Sequence, residues 1–168
     1  MAGMERGKGK GGHGATPQEC VDPVVASVGM VQAVQTMIPR NVYALDEAVI
    51  SVTMIHTGTA SNIIPEEGYF AATIRCFKPD VRALLKKRFF EIVEGHATAY
   101  GVTAQIDYDW GYPATINHEE EADFAAEVAR EVSGAEAVDA RAGREMGSED
   151  FSYMLEARPG AYLFLGTG

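Results

Sequence analysis

The chain has 168 residues, a formal net charge of −10 and 46% hydrophobic residues, a composition typical of one globular domain or two small ones. The negative charge disfavours general nucleic-acid binding, because affinity for phosphate requires basic surface. No apolar run approaches the roughly 20 residues that cross a bilayer, and no secretory signal is evident. The two cysteines, Cys20 and Cys76, form no disulfide framework, so we expect a reducing, cytoplasmic location.

A glycine-rich loop with a single histidine lies near the start of the chain. It reads GKGKGGHG over residues 7–14, and residues 1–6 are interpreted as a strand cut short or an artificial start. Glycine permits positive φ and a close approach of backbone to a ligand, and an imidazole can exchange a proton near neutral pH. We therefore expect the loop to present His13, with a solvated loop histidine as the simpler alternative.

The glycines of this loop also match a dinucleotide-binding fingerprint formally. Gly9, Gly11 and Gly14 have the spacing of that motif. However, no apolar strand precedes them, and no acidic residue follows about 20 positions later at a strand end. We therefore predict no nucleotide site.

The first helix is predicted to begin after Asp22, an N-cap residue, with Pro23 at the first helical position and Pro39 as its end. The apolar period assigns its buried face to Val24, Val28, Val31, Val34 and Ile38. Residues 48–57 and 68–77 are rich in β-forming side chains and predict two strands.

A second, longer helix is predicted from Pro79 to about Tyr100, with Gly101 as its end. Residues 102–110 then alternate apolar and polar side chains, which predicts a half-buried strand. The resulting order, strand–helix–strand–strand–helix–strand, is typical of the split βαβ, ferredoxin-like unit, with one antiparallel sheet and both helices on one face.

The composition changes after Pro113. Asn117 and Glu120 have capping-box spacing for a helix that ends near Gly134. A short helix capped by Ser148 is expected to follow. The last segment, residues 161–166, predicts a fully buried strand whose sheet neighbours are missing from this sequence.

Several polar side chains allow both a functional and a structural interpretation. Arg75, on the outer face of its strand, is an exposed arginine or a fork for a carboxylate. Asn62 holds a turn or a substrate carbonyl. The turn at residues 147–149 caps a helix or lines a cleft.

The other three histidines favour structural roles. His56 is interpreted as a core or interface residue, His96 as part of the second helix's buried stripe, and His118 as a helix start. The acidic run at residues 119–121 suits a helix N-terminus better than a metal site, since adjacent helical side chains do not converge.

Five segments in this order resemble the metal-dependent amidohydrolases of the aminoacylase, hippurate hydrolase and indole-acetyl-amino-acid hydrolase type. The segments are GKGGHGATPQ, VDPVVASVGMVQAVQTMIPRNV, TGTASNIIPEEGYFAATIRCF, MGSEDFSYM and PGAYLFLGTG. The resemblance implies an α/β (α+β) fold, with a ferredoxin-like lid and dimerisation domain at residues 7–113. An incomplete segment of an α/β catalytic domain follows at residues 114–168.

The resemblance also implies roles for individual residues. His13 matches a lid histidine that stabilises the oxyanion in the partner subunit's active site. Asn62 and Arg75 match lid positions that hold the substrate's carbonyl and carboxylate, also across the dimer. Gly147, Ser148 and Glu149 match a segment that lines the substrate cleft.

The family's metal ligands are not found in this sequence. They come from a Cys-x-His-Asp motif, a Glu-Glu pair and a late histidine, which the resemblance places outside these 168 residues. We therefore expect two divalent ions (Zn, Mn, Co or Ni) in the complete enzyme, none held tightly by this chain, and no hydrolysis by the chain alone. The expected substrate is an N-acyl amino acid or small peptide. The alternatives are a non-catalytic, self-associating module and, less favoured, a small-ligand regulatory domain.

Overall fold

The computed structural model describes residues 2–166, without the side chains of Ala2 and Met4. The chain divides into two compact units, residues 1–110 and 111–168. The strands are β1 (Ala2–Lys8), β2 (Gly12–His13), β3 (Ala48–Thr57), β4 (Ile63–Ile64), β5 (Glu67–Cys76) and β6 (Thr103–Asp109). The helices are α1 (Pro23–Val34), α2 (Met37–Asn41), α3 (Pro79–Tyr100), α4 (Glu119–Ser133) and α5 (Phe151–Ala157). Within the described part of the chain, no helix combines the length and apolar character needed to span a membrane.

The first unit has the predicted ferredoxin-like topology. Its four long strands form an antiparallel sheet in the order β3-β5-β1-β6. Helix α1 follows β1 and α3 follows β5, which is the split βαβ arrangement. The predicted fold class is therefore confirmed, and the assignment of the units as lid and catalytic segment stays a prediction.

Strand β1 occupies the centre of the sheet and begins earlier than predicted. It pairs along its whole length with β5 on one side and with β6 on the other. Residues 2–6 are therefore an integral part of the central strand, which agrees with the strand alternative for residues 1–6. Met1 lies outside the described residues.

The two long helices of the first unit, α1 and α3, pack on one face of the sheet. Phe70 and Ile74 of β5 are fully buried together with Met30 of α1 and Phe89 of α3. The rings of Phe70 and Phe89 meet edge to face with centroids 6.2 Å apart. Burial of side chains of this size contributes about 1.5–3 kcal/mol each.

The predicted buried face of the first helix is only partly right, and its predicted end is wrong. Val34 is fully buried and Val31 packs against the core, as predicted, but Val28 is 46% exposed and Val24 only half-buried. The other buried residues of the helix are Pro23, Ala26, Ser27 and Met30. Helix α1 is apolar on almost every side, so its period does not define the buried face. Small residues lie inward because α1 approaches β5 closely: a Cβ on Gly68 would lie 3.0 Å from the Ser27 Oγ. The helix ends at Val34, and Pro39 lies inside α2.

The second unit corrects three further predictions. Helix α4 has His118 as its N-cap, because the Asn117 amide instead hydrogen-bonds in both directions with the Tyr162 backbone (2.8 and 2.9 Å). Asp150, rather than Ser148, occupies the N-cap position of α5. Residues 161–166 form no strand, and Leu165 is 91% exposed. A buried strand requires neighbouring strands, and the described residues of this unit contain none.

The glycine loop between β1 and α1 is fastened at its base by close backbone contacts. The backbones of Lys10 and Val21 exchange two hydrogen bonds of 2.9 Å, and the Gly9 N–H donates to the Glu66 carbonyl at 2.8 Å. A Cβ on Gly9 would lie 2.1 Å from the Val21 carbonyl oxygen. None of the loop glycines has positive φ; among the described residues only Gly58, Gly101, Gly111 and Gly134 do. These glycines therefore allow close approach to the chain itself, and none of them uses the positive φ that glycine permits.

A glutamate lies buried at the centre of the sheet. Glu5 of β1 is fully buried, and its cross-strand neighbours Phe70 and Ile106 place it on the face that the helices cover. Neither carboxyl oxygen has a hydrogen-bond partner among the described residues. Burial raises the pKa of Glu5 to about 7, because the charged form is poorly solvated there.

Replacing Glu5 with glutamine tests this burial. The folded-state pKa lies above the unfolded one, so the stabilising contribution of protonated Glu5 is complete below about pH 4.5 and is lost as the pH rises through about 7. Glu5→Gln removes this pH dependence. We expect the free energy of unfolding of the wild type alone to fall by about 2–3 kcal/mol between about pH 4.5 and pH 7. Urea unfolding at several pH values measures it. Glu94→Gln, an exposed change on α3, is the control; matching pH profiles for wild type and Glu5→Gln would contradict the assignment.

Replacing Gly9 with alanine tests the fastening of the loop. Because the new Cβ would overlap the Val21 carbonyl, we expect the free energy of unfolding to fall by about 2 kcal/mol or more. Gly95 in α3 has no atom within 4 Å of its Cβ position, so Gly95→Ala should raise stability by about 1 kcal/mol. Urea denaturation compares the two variants, and an unchanged midpoint for Gly9→Ala excludes the close contact.

Candidate functional site

Two short strands bring together two of the predicted site residues. Strand β2 pairs antiparallel with β4, with His13 opposite Ile63. One residue further on, the Gly14 N–H donates to the Asn62 carbonyl oxygen at 2.8 Å. The side chains of His13 and Asn62 both belong to exposed residues. These two positions are therefore neighbours on the surface of the first unit, accessible to a ligand.

The turn after His13 contacts the histidine itself. The Ala15 N–H donates to the imidazole Nδ1 at 3.1 Å. The Thr16 N–H and hydroxyl both donate to the His13 carbonyl, at 2.9 and 3.3 Å. The backbone and the ring of His13 are thus both held by the residues that follow it.

The strand pair that carries His13 is close-packed against the chain that leads into α1. A Cβ on Gly12 would lie 2.6 Å from the Cys20 Sγ. The Asp22 carboxylate then accepts hydrogen bonds from the Val24 and Val25 amides (2.7 and 3.4 Å), as predicted for an N-cap. Helix α1 therefore supports the loop from its C-terminal side, and β1 supports it from its N-terminal side.

Arg75 lies away from the His13–Asn62 pair. It is half-buried on the outer face of β5, opposite Val49 of β3. The loop meets the other end of β5, near Glu66 and Glu67. At about 3.3 Å per residue, Arg75 lies roughly 25 Å along the strand from Glu67. One molecule of this chain therefore does not bring Arg75 to the histidine, and its predicted role stays a prediction.

The predicted cleft segment belongs to the second unit. Gly147, Ser148 and Glu149 are exposed and precede α5. The Glu149 carbonyl accepts hydrogen bonds from the Ser152 N–H and hydroxyl (3.2 and 2.6 Å), which starts the helix. Burial and the neighbouring Glu149 carboxylate raise the pKa of the Tyr162 hydroxyl. These contacts account for the turn structurally, and its role in substrate binding stays a prediction.

The other histidines have structural contacts. His56 is exposed and stacks on Tyr69 with centroids 5.0 Å apart, so the core alternative is wrong for it and the interface alternative stays a prediction. The His96 Nδ1 lies 2.8 Å from the Ile92 carbonyl oxygen within α3. His118 is the N-cap residue of α4, which confirms it as a helix start.

The residues present do not fit a metal centre. Among residues 2–166, no group of three or more His, Cys, Asp and Glu side chains is placed to hold a metal ion. Cys20 and Cys76 are both free thiols. The acidic residues 119–121 lie in the first turn of α4, as expected for a helix N-terminus.

The sequence did not indicate Ala15 and Thr16, which hold His13 through main-chain and hydroxyl hydrogen bonds. It also did not indicate β4. Two consecutive β-branched residues, Ile63 and Ile64, in an otherwise polar loop are the signal that could have predicted this short strand.

This chain is similar in sequence to known proteins along most of its length. The family model described as peptidase family M20/M25/M40 matches residues 6–168. The N-acetyldiaminopimelate deacetylase of Priestia megaterium is 39% identical over 95% of this chain and 42% of its own length. The hippurate hydrolase of Campylobacter jejuni is 34% identical over 94% of this chain and 41% of its own length. Thermostable carboxypeptidase 1 of Saccharolobus solfataricus is 34% identical over 95% of this chain and 40% of its own length.

Solved structures of other proteins share the fold of this chain. A protein from methicillin-resistant Staphylococcus aureus, described as an aminohydrolase, superposes with a TM-score of 0.80 at 26% identity, over 95% of this chain and 41% of its own. A Staphylococcus aureus tripeptidase shares the fold, with a TM-score of 0.72 at 23% identity over 95% of this chain and 41% of its own. This chain spans about 40% of the length of the relatives it matches. With the matched region running from residue 6 to the last residue, the resemblance found in the sequence is confirmed: the chain belongs to the peptidase family M20/M25/M40.

Proposed function

We propose that this chain is the lid and part of the catalytic domain of an enzyme that hydrolyses the amide bond of N-acyl amino acids or small peptides. The observation that carries the proposal is the exposed His13, held beside Asn62 in a chain that belongs to this family over residues 6–168. Relatives named as deacetylases of N-acetyl amino acids and as a hippurate hydrolase support this substrate class. The proposed location is the cytoplasm.

The proposed role of His13 is to donate a hydrogen bond, in the active site of the partner subunit, to the oxyanion that forms when the amide is attacked. Donors that are fixed in place before the reaction stabilise such charge strongly, because they need no reorganisation. The main-chain bonds around His13 supply this fixed position. Asn62, whose main chain is tied to Gly14, is proposed to hold the substrate carbonyl with its amide.

The roles proposed for the other site residues depend on a second subunit or on the second unit of this chain. Arg75 is proposed to bind the substrate carboxylate, which suits the planar fork of a guanidinium. Arg75 lies roughly 25 Å along β5 from Glu67, at the end of the strand that the loop meets, so this proposal places Arg75 in an active site to which more than one subunit contributes. Gly147, Ser148 and Glu149 are proposed to line the substrate cleft.

The metal ions of the family are proposed to be bound outside this chain. Members generally depend on two metal ions, which supply an activated water for hydrolysis. The described residues offer no ligand group for them. Zn, Mn, Co and Ni are the proposed alternatives, and the chain alone is proposed to be inactive.

The proposed assembly is a homodimer through the ferredoxin-like unit. Strand β3 lies at an edge of the sheet and exposes Val49, Met54 and Ile55 by 39–45%. An edge strand offers backbone groups that can pair with a second copy about a two-fold axis. This same edge favours the alternative proposal, a self-associating module without catalysis.

Catalytic assays of the purified chain test its proposed inactivity. With Zn, Mn, Co or Ni added, we expect no hydrolysis of hippurate or N-acetyl amino acids above the rate of buffer, since the described residues lack a ligand group. Calorimetric titration should show no tight, stoichiometric metal binding. Metal-dependent hydrolysis by the 168-residue chain would overturn this part of the proposal.

Sedimentation velocity at several concentrations tests the proposed dimer. We expect the wild type to dimerise and Ile55→Lys to sediment as a monomer, because the charge would be desolvated at the β3 edge. Val132→Lys, at a position 81% exposed in α4, is the matched control and should leave the dimer intact. A wild-type monomer at all concentrations counts against both the lid dimer and the self-associating module.

A further inference from the structure

The three residues that follow His13 all have their main-chain N–H groups directed to defined acceptors. The Gly14 N–H donates to the Asn62 carbonyl, the Ala15 N–H to the His13 Nδ1, and the Thr16 N–H to the His13 carbonyl. The Thr16 hydroxyl adds a second bond to that carbonyl at 3.3 Å. Because each of these three N–H groups has an acceptor, the exposed turn holds both the main chain and the ring of His13 in place.

The contact from Ala15 determines which ring nitrogen can carry the proton. An N–H group donates only to a nitrogen with a free lone pair, so Nδ1 has to be unprotonated for the 3.1 Å bond to form. In a neutral imidazole the single proton is then on Nε2, because the hydrogen bond at one ring nitrogen sets the tautomer.

We propose that the Ala15 main-chain N–H and the Thr16 side chain are positioning groups that hold His13 in the tautomer protonated at Nε2. Nδ1 is occupied by the turn, and Nε2–H is the group that a ligand meets. His13 then acts as a hydrogen-bond donor toward an anionic oxygen. It does not act as an acceptor or a metal ligand through Nδ1. Its use against an oxyanion rests on the proposed function, whereas the tautomer itself does not.

Thr16 also helps to hold His13 in this position. Its hydroxyl and amide both close the turn onto the His13 carbonyl, which keeps the Ala15 N–H directed at the ring. The Cys20 Sγ in turn lies 3.7 Å from the Thr16 carbonyl, so the turn is also supported from the residues before α1. Because Gly14 binds Asn62, the same turn fixes the spacing between the two neighbouring site residues.

Nitrogen-15 NMR of the purified 168-residue chain tests the proposal without substrate or metal. We expect a pyridine-type signal for the His13 Nδ1, a pyrrole-type signal for Nε2, and a scalar coupling across the hydrogen bond from the Ala15 amide nitrogen to Nδ1. His13→Gln assigns the signals. Absence of the coupling in the folded wild type, or a pyrrole-type Nδ1, would overturn the proposal.

Variants separate positioning from general stability. Ala15→Pro removes the donor, so the coupling should be lost and a signal from the Nδ1-protonated form should appear; Ala15→Ser keeps the N–H and should match the wild type. Thr16→Val should weaken the coupling, and Thr16→Ser should restore it. An unchanged His13 tautomer and coupling in Thr16→Val removes Thr16 from the proposal. Since no readout involves hydrolysis, a negative result leaves the proposed function standing, and loss of that function leaves the tautomer assignment intact.

Discussion

Backbone pairing along both sides of β1 is the constraint on which the rest of this structure depends. The strand joins β5 to β6 and continues directly into the glycine loop, so the register of the sheet fixes where the loop begins. The loop is then closed by the Lys10–Val21 bonds and by the pairing of β2 with β4. The position of His13 therefore follows from a continuous series of main-chain hydrogen bonds.

Strand β1 and the loop that follows it carry two features that reduce stability. Glu5 is buried without a partner among the described residues, and the glycines of the loop lose more conformational entropy on folding than other residues. The hydrophobic contacts around Phe70 and Phe89 offset these costs. The loop that exposes the imidazole is thus supported by a core that lies mainly between the sheet and the helices α1 and α3.

Elements that form from local signals, such as a run of β-forming residues or a helix between a proline and a glycine, were predicted correctly from the sequence. The strand at residues 48–57 has the predicted bounds, and the helix predicted from near Pro79 to about Tyr100, with Gly101 as its end, is confirmed. The buried face of α1 was not predictable, because that helix is apolar nearly all round and only the close approach at Gly68 selects Ser27. The Asn117 amide depends on Tyr162, 45 residues away, which no local pattern shows. For the site, the sequence and its resemblance indicated His13 and Asn62, but their adjacency arises from the β2–β4 pair.

The central claim is that His13, held by this loop, serves an active site whose metal centre lies outside the chain. Hippurate hydrolysis by a chimera tests it most directly: residues 2–110 replace the matching segment of the Campylobacter jejuni hippurate hydrolase, which is 34% identical to this chain. We predict an active chimera that loses about 10²–10³-fold in kcat with His13→Gln and keeps its activity with His96→Gln. Equal activity of the His13→Gln and unmodified chimeras would contradict the account.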